Sequence, residues 1–155
     1  MTKIITTTVK LISSLVILLS TTTLSAKTLN FTIDGIKSNQ GKIYIQLFQG
    51  KENYQNNKPY LSSIAIAKQG SITVTFNDLT PDNLNNDTES NNDYGVRYYH
   101  DENDNGSMET NLFGMPIEGY GYSNNAKANY GPVKYSKIKF QLADETVLNS
   151  STIVY

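Results

Sequence analysis

Leu29-Asn30-Phe31-Thr32-Ile33-Asp34, followed past Gly35 by Lys42-Ile43-Tyr44-Ile45-Gln46-Leu47-Phe48, sets the period of this chain. Apolar side chains recur at every second position, and alternation places such a set on one face of an extended strand. The pattern predicts two half-buried strands, paired as a hairpin across the turn signals of Gly35 and Ser38 to Gly41. Ser63 to Lys68 and Ser71 to Phe76, joined across Gln69-Gly70, predict a second hairpin with Ile72, Val74 and Phe76 inward. Tyr94, Val96 and Tyr98 alternate with Gly95, Arg97 and Tyr99 and carry the chain into an acidic loop. Lys134 to Leu142 resumes the alternation through Tyr135, Ile138 and Phe140, with a phase slip near Ser136 that reads as a bulge. Val147 and then Ile153 to Tyr155 predict a last strand, interrupted between Asn149 and Thr152.

About seven short strands, with no helical segment beyond a turn, predict an all-β fold. The architecture expected is an antiparallel two-sheet sandwich, immunoglobulin-like or prealbumin-like; a small closed barrel is the alternative. From Asn111 to Gly131 the glycines and prolines exclude a long regular element and predict an ordered excursion at one end. Pro81 to Asp93 is almost entirely polar, so residues 82–92 are expected to form a mobile Asn-rich loop.

The amino terminus bears on the compartment. Lys3 and Lys10 flank no acid, Leu11 to Leu19 is apolar apart from Ser13 and Ser14, and Leu24-Ser25-Ala26 ends in a small residue. This predicts a signal peptide over residues 1–26, cleaved after Ala26, and a periplasmic or secreted domain over 27–155. The apolar run is shorter than the roughly 20 residues of a spanning helix, so no membrane span is expected after cleavage. Cleavage takes two lysines from a chain of 13 basic and 14 acidic residues, leaving an acidic domain with no basic stripe. Nucleic-acid binding is therefore not expected. Cysteine is absent, so an exported fold must rest on its apolar core or on a bound ion.

His100-Asp101-Glu102-Asn103-Asp104-Asn105-Gly106-Ser107-Met108-Glu109 follows the D-x-[DN]-x-[DN]-G pattern of a calcium loop. Asp101, Asn103 and Asn105 take its first, third and fifth places, Gly106 supplies the turn, and Glu109 is ninth. The twelfth place is Leu112, not the bidentate Glu of a helical EF-hand. A calcium ion here would draw on Asp101, Asn103, Asn105 and Glu109, a backbone carbonyl near Ser107, and Glu118. So few acids suit an affinity of ~10⁻⁴ to 10⁻³ M, that of extracellular modules. The competing reading is an Asx-rich turn in which Asp101 and Asn103 accept backbone N–H groups.

The succession Tyr94-Gly95-Val96-Arg97-Tyr98-Tyr99-His100-Asp101-Glu102-Asn103-Asp104-Asn105-Gly106, then Asn111-Leu112-Phe113-Gly114-Met115-Pro116-Ile117-Glu118-Gly119-Tyr120-Gly121-Tyr122, resembles the signature of the bacterial exported family catalogued as domain of unknown function 2141. Gly41 to Ile45 and Phe76 to Leu79 resemble its earlier strands. The resemblance implies an exported bacterial β-sandwich without an established activity. The chain departs from the family pattern at Asp82 to Asn92, where a short Pro-Gly turn belongs, and at Glu109, near the position of the family's aspartate.

His100 is the only histidine, and no serine stands in a nucleophile signature such as G-x-S-x-G. Its expected role is to end a strand and hydrogen-bond the loop. The sequence therefore predicts a noncatalytic binding or structural module with an envelope or extracellular partner, glycan or protein. The alternative is a small envelope enzyme acting on glycan or peptide through clustered carboxylates such as Glu109 and Glu118. Among 11 tyrosines, Tyr94 and Tyr98 are expected to fill sheet positions, while His100, Tyr120 and Tyr122 form a candidate ligand surface.

Overall fold

The computed structural model describes residues 25–80, 93–128 and 132–155. Most of the signal segment and the Asn-rich loop lie outside them. Among the described residues eight strands form two sheets: β1 (Lys27–Ile36), β2 (Lys42–Gln49), β3 (Leu61–Ile66), β4 (Gly70–Leu79), β5 (Asp93–Asp101), β6 (Gly119–Tyr122), β7 (Phe140–Gln141) and β8 (Thr146–Thr152). One sheet has the order β4-β1-β8; the other runs β3-β2-β5-β6, with β7 on the far end of β5. The expected sandwich is therefore present and is not closed into a barrel. Among the described residues no helix is long and apolar enough to cross a membrane.

Alternation correctly fixes the inward faces. Leu29, Phe31, Ile33, Val74 and Phe76 of the smaller sheet are buried against Ile43, Ile45, Leu47, Val96 and Tyr98 of the larger. Full burial of each such aliphatic or phenyl side chain contributes roughly 1.5–3 kcal/mol. Tyr98 lies 5.9 Å from Phe31, ring to ring. Its hydroxyl donates to Ser151 Oγ at 2.8 Å, and Ser151 donates onward to the Tyr122 carbonyl at 2.6 Å, so the polar end of a buried ring is satisfied.

The strand partners differ from expectation. β1 and β2 do not form a hairpin, and neither do β3 and β4: each pair is split between the sheets, and the true neighbours are β1 with β4 and β2 with β3. Residues 37–41 and 67–69 are arches crossing the roughly 10 Å between sheets. They lie side by side, with the Gln69 N–H donating to Asn39 Oδ1 at 2.7 Å and the Ala67 N–H to the Gly41 carbonyl at 3.2 Å. Period two sets which side of a strand is apolar, and an arch satisfies that pattern as well as a hairpin does.

Two further expectations change at the carboxyl end. The segment expected as one strand from Lys134 to Leu142 is instead a helical turn, α2 (Tyr135–Ile138), followed by the two residues of β7; a second short helix, α1, spans Lys51–Gln55. The apparent bulge at Ser136 is the three-residue step of a helix, which puts Tyr135 and Ile138 on one buried face. Gly95 makes room for it, because a Cβ there would stand 2.8 Å from Ile138 Cδ1. The last strand runs unbroken through Asn149 and Thr152 and lies parallel to β1, the one parallel pairing in the sheets.

Candidate functional site

The arches, the carboxyl terminus and the 102–118 loop between β5 and β6 share one end of the sandwich. His100, the penultimate residue of β5, is 0% exposed and ties the 37–41 arch to the carboxyl terminus. Its Nε2 is 2.7 Å from the Gln40 carbonyl and its Nδ1 is 2.7 Å from Tyr155 Oη. A carbonyl only accepts, so Nε2 carries a proton, while Nδ1 faces the Tyr155 hydroxyl and stands 3.5 Å from Glu102 Oε1, and Tyr155 Oη accepts the Lys37 N–H at 3.1 Å. His100 thus lies beneath the candidate ligand surface on which the sequence had placed it. Its partners, Gln40 and Tyr155, are too remote in sequence for any spacing to reveal.

Asp101 is also 0% exposed, and its carboxylate organises the first half of the loop. Oδ1 accepts the Asn105 N–H at 3.0 Å and Oδ2 the Gly106 N–H at 2.7 Å. Asn103 Oδ1 accepts the Asn105 N–H at 3.2 Å, and Asn105 Oδ1 the Ser107 N–H at 2.8 Å. The D-x-N-x-N spacing thus produces nested Asx turns, each short polar side chain capping an amide two or more residues on. Asn103 Nδ2 donates to Glu109 Oε2 at 3.0 Å, Lys42 pairs with Asp104 at 2.7 Å, and Tyr99 Oη donates to the Gly106 carbonyl at 3.2 Å.

Glu118 organises the second half. It is 6% exposed, with Oε1 accepting the Glu102 N–H at 3.2 Å and Oε2 the Glu109 N–H at 3.0 Å. Hydrogen bonds thus link Asp101, Asn103, Asn105 and Ser107 in the first half of the loop, and Glu109 to both Asn103 and Glu118. The carboxylates of Asp101 and Glu118 face backbone amides of that loop. Among the described residues no group of three or more His, Asp or Glu side chains stands in the arrangement of a metal site.

Between these anchors the chain turns back on itself and presents an apolar tip. Leu112, Phe113, Met115 and Ile117 are 101%, 90%, 63% and 63% exposed. Asn111 builds the turn: its Oδ1 accepts the Phe113 and Met115 N–H groups at 2.9 and 3.1 Å, its carbonyl the Gly114 N–H, and its own N–H donates to the Met115 carbonyl. Sequence reasoning missed this feature, treating Leu112 as a broken ligand position and Asn111 to Gly131 as an ordered excursion. The available signal was the run L-F-x-M-x-I set among Asn and Gly with no alternation to bury it.

Tyr120 and Tyr122 lie on the outer face of β6, where Tyr120 continues a cross-strand row with Tyr99 and Tyr44. Tyr44 and Tyr99 stack at 5.0 Å with their planes 5° apart, and Tyr120 meets Tyr122 edge-on at 6.3 Å. A groove of about 430 Å³ runs beside Tyr120, Tyr122, Asn125, Lys127 and Val154. Gly119 and Gly121 point inward, and a Cβ on them would stand 2.5 Å from Tyr155 and 2.2 Å from Tyr98. Their role is to let two buried rings lie against the strand.

No curated protein and no solved structure matches this chain. The family model for uncharacterised proteins conserved in bacteria, domain of unknown function 2141 (DUF2141), matches residues 31–149. That span takes in all but the outer ends of the sandwich and the whole 102–118 loop, and the chain belongs to this family.

Proposed function

We propose that this protein is an exported, noncatalytic binding module of the bacterial envelope, and that its contact element is the 102–118 loop. The observation that carries this reading is a preformed apolar tip raised on a loop whose base is held by two buried carboxylates. The groups best suited to acid–base chemistry already have structural partners: both ring nitrogens of His100 and all four oxygens of Asp101 and Glu118. A rigid scaffold with a prominent loop is the usual way a β fold mounts recognition. The test is retention of the mature protein on the envelope fraction of expressing cells. Retention that is lost when Leu112, Phe113 and Met115 are all changed to Ser supports the reading; equal retention of both proteins contradicts it.

A calcium ion at the same loop is a second reading, favoured by the side-chain oxygens of Asp101, Asn103, Asn105 and Glu109 at the required spacing. Each carboxylate oxygen of Asp101 accepts one N–H and retains capacity for an ion. Melting in calcium and in chelator tests it. A stabilisation by calcium that disappears in Asp101→Ala establishes the ion, and identical curves remove it.

A further inference from the structure

We infer that the partner of the apolar tip is a lipid bilayer surface, into whose headgroup boundary Leu112, Phe113, Met115 and Ile117 insert; this rests on the reading of the loop as the contact element. Four large apolar side chains within six residues are exposed by 63% or more on a projecting turn, an apolar area that a headgroup boundary can cover. The backbone carries the stronger argument. A segment entering an apolar medium must satisfy its own amides, because no water is there to do so. Of the tip amides, Phe113 and Met115 donate to Asn111 Oδ1, Gly114 to the Asn111 carbonyl and Ile117 to the Glu109 carbonyl, Pro116 has no N–H, and the Leu112 N–H alone is left open.

Charge narrows the surface. Thr110 to Ile117 contains no ionisable group, and the nearest charged side chains are Glu109 and the buried Glu118. Partly exposed Glu102 adds further negative charge to the loop, while the charge of Asp104 is met by Lys42. An anionic membrane would repel this loop, so the headgroups it fits are zwitterionic. Such an interfacial contact buries side chains by roughly 5–10 Å and does not span.

The chain has no tryptophan, so Phe113→Trp places a single reporter at the tip. With phosphatidylcholine vesicles the expected result is a blue shift of its emission and co-sedimentation that persists in high salt. Leu112→Ser with Phe113→Ser should lower partitioning by about a hundredfold, at about tenfold per transferred side chain, while leaving thermal melting unchanged. No partitioning into neutral vesicles overturns the inference. So does binding confined to anionic vesicles and abolished by salt, or a tip-dependent dimer in place of vesicle binding. Envelope retention that still depends on the tip when vesicle binding fails sinks only the bilayer; loss of both sinks the contact element as well.

Discussion

Asp101 and Gly106 are joined across the loop by a 2.7 Å hydrogen bond from the Gly106 amide to Oδ2 of a fully buried carboxylate. The other oxygen takes the Asn105 amide, so one ionised side chain closes the turn that Gly106, at φ 78°, makes sterically feasible. The β5 strand thereby passes its rigidity to a loop that extends beyond the sheet.

Replacing Asp101 with Ala should therefore cost about 2–4 kcal/mol, since two hydrogen bonds to a charged acceptor are lost. Urea denaturation measures it. A change within about 0.5 kcal/mol, the range of ordinary surface substitutions, would show that the carboxylate is dispensable.

Glu118→Gln should act more locally. The amide NH2 can accept nothing, so either the Glu102 or the Glu109 N–H loses its acceptor. We expect faster hydrogen exchange at those two amides, a loss of about 1–3 kcal/mol, and unchanged exchange in β1 and β4. Unaltered exchange at both positions would refute the role assigned to Glu118.

The tyrosines predict alkaline sensitivity. Burial, partly opposed by the Ser151 hydrogen bond, pushes the Tyr98 hydroxyl up to about 12 from an ordinary 10.0, and burial does the same for Tyr54. Between those values the unfolded chain has released protons that the folded one retains. Stability is thus fully present below about pH 10, falls by up to about 1.4 kcal/mol per pH unit for each tyrosine, and levels off above about pH 12. Tyr98→Phe should remove one proton's share of that slope. Parallel slopes in the two proteins would exclude Tyr98 as a source.

Gly121→Ala should destabilise the fold strongly, because its Cβ would fall 2.2 Å from the Tyr98 hydroxyl, which is itself held by Ser151. Overpacking of this kind costs about 1–3 kcal/mol or more. A melting curve matching the unsubstituted protein would mean that β6 can move away from β5 at no cost.

These residues show what the sequence carried and what it did not. Leu29, Phe31, Ile43 and Ile45 announce an inward face, because period two is a local property; whether β1 meets β2 or β4 depends on the path of residues 37–41, which no periodicity records. Tyr135 and Ile138 looked like a slipped strand because a single helical turn is too short to establish its own period. Asp101, Asn103, Asn105, Glu109 and Glu118 were legible as one loop. Their orientation toward amides was not, since an Asx turn and a calcium loop share the same spacing. The run from Gly119 to Tyr122 gives no local sign of why its glycines are needed, because Tyr155 and Tyr98, which fill the space over Gly119 and Gly121, lie far along the chain.

The central claim is that loop 102–118 is preorganised by its own hydrogen bonds. Backbone ¹⁵N relaxation of the mature protein in chelator tests it most directly. Order parameters near about 0.85 at Gly106, Glu109 and Met115, as in rigid backbone, are the predicted result; values below about 0.6 at all three would contradict it.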